Sequence, residues 1–346
     1  MIIVLKPSPK DSDIAEVEKA VTNLGYIPHI IKGEIRTVVA AIGDETEHET
    51  LTSLECLDCV DRVIPIQKRF KLVSREAQHE GSTVKVGKLQ IGSGTFHVIA
   101  GPCSIENRDQ MISTARHVAR SGASLLRGGA FKPRTSPYDF QGLGEEGIRI
   151  LKEAKDITGL PVVSEVVSSS DIKVMLETVD VFQIGTRNAA NYNLLSAVAK
   201  SGKPALLKRG MASTVEEWLL AAEYMAKNGN SHVILCERGI RTFETATRNT
   251  LDISAVAIAK KESNLPVFVD PSHAAGRRDI ILPLSKAAIA AGADGLMIEV
   301  HEHPESAHSD AAQQLSPQEF DSLMQEIEPL VKAAGKTLSL KISKEA

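Results

Sequence analysis

Hydrophobic positions along the chain follow two different rhythms, and the rhythm changes near residue 96. Up to about residue 67 strand-like and helix-like patterns are mixed. MIIVLKP reads as a strand. DSDIAEVEKAVTNLG reads as a helix, with Asp11 and Asp13 at its start, Ile14, Val17, Ala20, Val21 and Leu24 on one face, and Gly25 as its stop. YIPHIIKG and RTVVAAIG read as two strands split by a turn, ETEHETLTSLECL as a second helix and CVDRVIPIQ as a last strand. This βαββαβ order predicts a small ferredoxin-like α+β unit over residues 1–67. The charged, aperiodic KRFKLVSREAQHEGST (68–83) reads as a linker, and VKVGKLQIG as a short β-hairpin turning at Gly87, so 68–95 form a linker and hairpin.

From Phe96 onward, short apolar runs alternate with helical patterns at a steady spacing: FHVIAGPC, ASLLRGG, LPVVSEV, VFQIG, PALLKRG, HVILCERG, LPVFVDPSH and DGLMIEVH. The runs are continuous rather than alternating, as parallel strands covered on both faces require. Between them lie helices with readable starts, Ser213 with Glu216 and Ser316 with Pro317 and Glu319. Trp218 falls in an amphipathic helix pattern and reads as core. Eight strand–helix units in about 250 residues predict a (β/α)8 TIM barrel over residues 96–346. An open doubly wound sheet competes, but no G-x-G-x-x-G follows the first strand.

Composition narrows the partners. The chain has 346 residues, 42% hydrophobic and 24% charged, with a formal net charge of −4. No global positive field invites nucleic acid or an anionic membrane, so any strong positive potential must be local. The apolar run at Ile2–Leu5 is too short for a signal segment, and no stretch approaches the roughly 18–20 apolar residues of a membrane span. Four cysteines in a chain of this length make no disulfide framework, and a cytoplasmic protein is expected. Cys56 and Cys59 form a C-x-x-C, but no second pair follows at zinc spacing, so both read as small core residues. Cys236 either lies near Cys103 or fills the barrel.

Residues that follow each barrel strand converge on one rim. Here they are Cys103, Arg127, Arg187, Lys208, Glu237 with Arg238, Asp270 with His273, and Glu299; the loop after the second strand adds Lys132, Arg134, Thr135 and Ser136. At least six cations thus point at one mouth of a protein with net negative charge. Crowding like charges is costly unless an anion is bound, and six cations suit roughly two phosphates and a carboxylate. A second set, Cys103, His273, Glu299 and Asp310, mixes one thiol, one imidazole and two carboxylates, which suits a divalent transition metal such as Mn, Fe, Co or Zn. The alternative is a buried structural cysteine, since spacing alone makes no compact metal motif. His301 reads as lining this site, and His303 and His308 as solvated.

AGPCSIE, LLRGGAFKPRTSPYDFQGLG, QIGTRNAAN, LLKRGM, CERGIRTFE, VDPSHAAGRRD and IEVH followed by SDAAQQL together resemble the 3-deoxy-D-arabino-heptulosonate 7-phosphate (DAHP) synthases, in the short type with a ferredoxin-like regulatory domain. The resemblance implies a transferase, 3-deoxy-7-phosphoheptulonate synthase, that condenses phosphoenolpyruvate with erythrose 4-phosphate and releases phosphate at the head of the shikimate pathway. It implies one divalent metal ion on Cys103, His273, Glu299 and Asp310. Arg127, Lys132, Arg187, Lys208 and Arg238 match phosphoenolpyruvate contacts, and Arg134, Thr135 and Ser136 the aldose phosphate site. The implied chemistry is Lewis-acid catalysis in which C3 of phosphoenolpyruvate attacks the aldehyde, with Lys132 and His273 as candidates for proton handling. It further implies a homotetramer whose N-terminal domain (1–67, ACT-like) binds an inhibitory Tyr or Phe. The nearest rival, 3-deoxy-D-manno-octulosonate 8-phosphate synthase, reads its sugar with an Asn-containing K-A-N-R-type loop where this chain has KPRTS. A non-catalytic amino-acid sensor is the rival from another class, and the intact metal set opposes it.

Overall fold

A computed structural model describes residues 1–32, 37–43, 51–64, 69–92, 94–134 and 136–339. They form two compact units, Met1–Arg69 and Phe70–Ala346. The first contains β1 (Ile2–Leu5), α1 (Asp11–Asn23), β2 (Ile27–Lys32), β3 (Thr37–Ile42) and β4 (Val60–Ile64). Its antiparallel sheet runs β2-β3-β1-β4, the ferredoxin-like order. Ile3, Leu5 and Val39 of the sheet pack with Ile14, Val17 and Val21 of the helix in one core. Where the pattern predicts a second helix, the described part is a short 3-10 turn, Leu51–Cys56; residues 45–50 of that segment lie outside the described residues. Its buried positions go to Leu51 and Leu54 and Cys56 is exposed, which corrects its reading as core, while Cys59 is half-buried and packs against that core.

The second unit begins with segment 70–83, which lies along the barrel. The backbone N–H groups of Leu72 and Val73 each donate to the Glu223 carboxylate at 3.0 Å, and Asn264 Nδ2 donates to the carbonyls of Leu72 and Ser74. A hairpin follows, β5 (Val84–Val86) and β6 (Leu89–Ile91), with Gly87 at φ +57° in its two-residue turn. Eight parallel strands then close a barrel: β7 (Thr95–Gly101), β8 (Leu125–Arg127), β9 (Val162–Val166), β10 (Val181–Ile184), β11 (Ala205–Lys208), β12 (Val233–Glu237), β13 (Val267–Val269) and β14 (Gly295–Glu299), with β14 pairing back onto β7. A short β15 (Thr337–Leu338) also pairs with the start of β7.

Helices cover the barrel: α2 (Arg108–Arg120), α3 (Glu145–Thr158), α4 (Asp171–Met175), α5 (Tyr192–Lys200), α6 (Val215–Lys227), α7 (Ile253–Glu262), α8 (Pro271–Ala275), α9 (Ile281–Ala290) and α10 (Pro317–Ala333). The Ser316 and Glu319 capping box starts α10 as its sequence predicts. On α6 the box shifts by one residue to Thr214 and Glu217, which overlap the Ser213 and Glu216 pattern; Trp218 is buried on this helix. Trp218 Nε1 donates to the Leu207 carbonyl at 3.1 Å.

The strands bury both faces. Inside, Ile99, Leu125, Val163, Val181, Leu206, Ile234, Phe268 and Met297, one from each strand, form a cluster with Cys236 and with Val84, Val86 and Ile91 of the hairpin. The hairpin thus plugs the N-terminal end of the barrel, where His97 Nε2 lies 3.0 Å from the Gln90 carbonyl. Gly295 makes room for the Phe268 ring, which a Cβ there would approach to 2.4 Å. With the interior filled and one end stoppered, only the C-terminal rim is left for chemistry. Among the described residues no helix is long and apolar enough to cross a membrane.

Replacing fully buried Ile91 by Ala removes part of this plug and should lower the unfolding free energy by about 2–5 kcal/mol. Urea titration followed by circular dichroism checks it; an unchanged midpoint would contradict the plug.

Candidate active site

Five of the site's side chains belong to the last residues of strands or the first turn beyond them, and the backbone fixes their reach. Arg127 ends β8, Lys208 ends β11 and Glu299 ends β14. Asp270 caps α8, its Oδ1 accepting the His273 N–H at 2.9 Å, and Pro271 takes the first helical position. Gly101 sits at φ +146°, and a Cβ there would lie 2.2 Å from the Arg127 carbonyl. Only glycine lets β7 and the end of β8 come this close.

Cys103, His273, Glu299 and Asp310 meet just above the strand ends, with one donor atom from each all within 4.8 Å of one another. The Cys103 thiol donates to Asp310 Oδ2 at 3.3 Å, and His273 Nε2 lies 3.5 Å from Glu299 Oε1 and 3.7 Å from Asp310 Oδ2. Asp310 reaches back because its own backbone is left-handed, φ +52°, a conformation Asp tolerates better than most residues. Glu299 is fully buried, and its Oε1 accepts no hydrogen bond although Arg127 Nη2 stands 3.1 Å away. A thiol, an imidazole and two carboxylates converging at this spacing, one carboxylate oxygen left without a hydrogen-bond donor, fit a divalent transition metal.

Protonation follows from the surroundings. Burial pushes the Cys103 thiol up to about 12, helped by Glu299 and opposed by Lys132. Burial likewise lowers His273 below its ordinary value, against the pull of Asp270 and Glu299. Burial would raise Asp310, yet His273, Arg248 and Lys132 outweigh it and hold the carboxyl well below the usual range. Lys132 Nζ donates to the Cys103 carbonyl at 2.8 Å and to its sulfur at 3.1 Å. Desolvation would lower this ammonium, but Cys103 and Glu165 more than compensate, so it stays charged.

Beside the four donors opens a cavity of about 350 Å³. Eight cations line it, Arg127, Lys132, Arg134, Arg187, Lys208, Arg238, Arg241 and Arg248, against three acids, Asp139, Glu165 and Asp310. Lys208 Nζ lies 2.5 Å from Asp270 Oδ2. Nε and Nη1 of buried Arg127 have no hydrogen-bond partner. Unpaired donors on a buried cation fit an incoming oxyanion.

The sequence-predicted residues divide accordingly. Arg127, Lys132, Arg187, Lys208, Arg238 and Arg134 all reach the cavity, and Cys103, His273, Glu299 and Asp310 come together. Ser136 does not line the cavity; its hydroxyl accepts the Tyr138 N–H of its own loop. Thr135 lies outside the described residues. Glu237, a rim residue by position, turns away to bind Arg209 Nη1 at 3.0 Å and the Gly239 N–H. Cys236 fills the barrel interior. His301 is buried and lies 3.6 Å from Glu106, while His303 and His308 are exposed. Position alone could have found Glu165, which lies near the end of β9 and takes a 3.3 Å bond from Gln183. Arg241 and Arg248 carry no such signal, since both lie inside the long loop after β12. Arg248 Nη1 reaches Asp310 Oδ1 at 3.1 Å and Gln313 Oε1 at 2.9 Å, and Gln313 Nε2 donates to Glu299 Oε2 at 2.6 Å.

A closed parallel barrel with a cationic cavity and a four-donor cluster at its C-terminal rim defines an α/β-barrel enzyme for multiply anionic substrates. Comparison with known proteins is more specific. The chain belongs to the DAHP synthetase I family, whose model matches residues 71–333, and residues 1–68 match the DAHP synthase ferredoxin-like domain. It is 51% identical over 335 residues to a phospho-2-dehydro-3-deoxyheptonate aldolase of Thermotoga maritima, covering 97% of this chain and 99% of that one. A crystal structure of that DAHP synthase superposes with a TM-score of 0.91 at 50% identity over 97% of this chain and 98% of that one. A 2-dehydro-3-deoxyphosphooctonate aldolase of Francisella tularensis is more distant, 31% identical over 278 residues, covering 73% of this chain and 99% of that one.

Proposed function

We propose that this chain condenses phosphoenolpyruvate with D-erythrose 4-phosphate and water to give 3-deoxy-D-arabino-heptulosonate 7-phosphate and inorganic phosphate, opening the shikimate pathway. The observation that carries the reading is the cavity of eight cations abutting the Cys103, His273, Glu299 and Asp310 cluster. Two phosphates and a carboxylate need this much positive charge, and an aldehyde needs an electrophilic partner next to it. Family membership and the Thermotoga maritima relative support the same substrates.

In this reading Arg127, Lys132, Arg187, Lys208 and Arg238 bind phosphoenolpyruvate. Arg134, Thr135 and Ser136 take the aldose phosphate, an oxygen of Ser136 becoming available only if its loop turns from the geometry above. Cys103, His273, Glu299 and Asp310 hold one divalent metal ion, which when bound supplies Lewis-acid polarisation of the aldehyde. The fixed guanidinium groups set the approach of C3 to the carbonyl carbon and stabilise the charge that shifts onto oxygen. Water adds at C2 as positive charge develops there, and C–O cleavage expels phosphate into the same cationic wall. Of the two proton-handling candidates, Lys132 fits better. It keeps its proton and stands 3.1 Å from the Cys103 sulfur, whereas burial lowers the imidazole and its Nε2 faces Glu299 and Asp310 of the metal-capable cluster.

The N-terminal unit supports feedback control, with Tyr or Phe as the inhibitor, in a cytoplasmic homotetramer. Its match to the DAHP synthase ferredoxin-like domain is the support. Removing residues 1–67 should leave phosphate release intact and abolish inhibition by Tyr or Phe; inhibition that survives truncation contradicts the regulatory role.

Cys103→Ala should abolish metal-dependent phosphate release while the circular dichroism spectrum keeps its folded form. Full activity of that variant in excess chelator would sink the metal assignment. A pH dependence follows from the raised thiol. Cys103 is protonated at neutral pH and must release that proton to ligate, so apparent metal affinity should rise about tenfold per pH unit for one proton lost. Competition against an indicator chelator across neutral pH measures it, and a flat profile contradicts thiolate ligation.

A further inference from the structure

Asp270 stands between the two halves of the site. It has no exposure to solvent. Its Oδ1 is committed to the backbone at the start of α8, where it accepts the His273 N–H. Its Oδ2 is shared, 2.5 Å from Lys208 Nζ and 2.7 Å from His273 Nδ1. At 2.7 Å the carboxylate oxygen favours the hydrogen on Nδ1, although the contact lies off the hydrogen-bond line. The other nitrogen, Nε2, then turns its lone pair toward Glu299 and Asp310. The same oxygen draws the Lys208 ammonium down onto the floor of the cationic cavity. Lys208 ends β11 and His273 lies in α8 beyond β13, and this carboxylate oxygen joins them.

We propose that Asp270 is a positioning residue that couples the anion cavity to the metal-capable cluster, holding Lys208 and His273 through one shared oxygen. The inference rests on the metal and substrate reading above. An ion on Nε2 makes Nδ1–H a stronger donor and draws Asp270 toward His273, which loosens its hold on Lys208 and frees that ammonium for an oxyanion. Removing Lys208 has the converse effect. The whole carboxylate charge then falls on His273, which becomes a better ligand.

The test is direct titration of the metal-free full chain with Mn2+, without turnover. Asp270→Asn keeps the size and should weaken Mn2+ binding about 10- to 100-fold, the cost typical of losing a partner behind a ligating histidine. Lys208→Met, which touches no ligand, should tighten Mn2+ binding in the parent chain and have a much smaller effect in the Asp270→Asn background. An Asp270→Asn protein that binds Mn2+ as tightly as its parent, or a Lys208→Met effect of equal size in both backgrounds, overturns the coupling. Should Asp270→Asn not fold, Lys208→Met alone decides, since an unchanged Mn2+ affinity there overturns it too. A parent chain that binds no Mn2+ overturns the metal reading along with this one, which separates the two failures.

Discussion

Eight cations around one cavity repel one another, most strongly among the buried Arg127, Lys208 and Arg238, and the architecture at the rim is organised around that repulsion. Buried carboxylates stand behind the cations: Glu299 behind Arg127, Asp270 behind Lys208, and Glu237 behind Arg209, which is itself off the cavity. Asp310 faces Arg248 from the loop after β14. Removing one member of a buried pair typically costs about 3–5 kcal/mol because the other charge is left uncompensated. The pairs are therefore weak evidence for stability and strong evidence for a use. They keep a positive surface in place until an anion with several charges arrives.

The barrel makes that arrangement affordable to hold. Its interior is filled by one side chain per strand and stoppered by the β5–β6 hairpin, so the strand ends are rigid supports rather than rims of a pore. Rigid supports matter because reacting groups must be held within fractions of an ångström. Three of the paired carboxylates also belong to the metal-capable cluster or touch it: Glu299 and Asp310 are members, and Asp270 touches His273. Charge compensation and the metal-capable cluster thus draw on the same residues.

The barrel was legible because parallel strands buried on both faces read as continuous apolar runs at regular spacing, and because strand ends point one way. That rule alone reaches Arg127, Lys208, Glu299 and Asp270, and it reaches Glu165 as well if LPVVSEV is followed to its end. It fails for Glu237, whose position is correct but whose carboxylate is drawn aside by Arg209. It fails for Arg248 and Gln313 because they lie in long loops, where local sequence does not encode which side chain folds back. The α6 start shows a smaller limit, since Ser213 with Glu216 and Thr214 with Glu217 are overlapping capping patterns one residue apart, and local sequence does not say which is used. Cys56 shows the opposite one: a small apolar residue type carries no burial signal when Leu51 and Leu54 already fill the core.

The central claim, that a cationic cavity and an adjoining metal cluster serve one condensation of two phosphorylated substrates, meets its most direct test in a phosphate-release assay. The purified chain is given phosphoenolpyruvate and Mn2+ with either erythrose 4-phosphate or arabinose 5-phosphate. The account predicts phosphate release with erythrose 4-phosphate that stops on addition of chelator. Release with arabinose 5-phosphate but not erythrose 4-phosphate, or release with erythrose 4-phosphate that chelator leaves untouched, would contradict it.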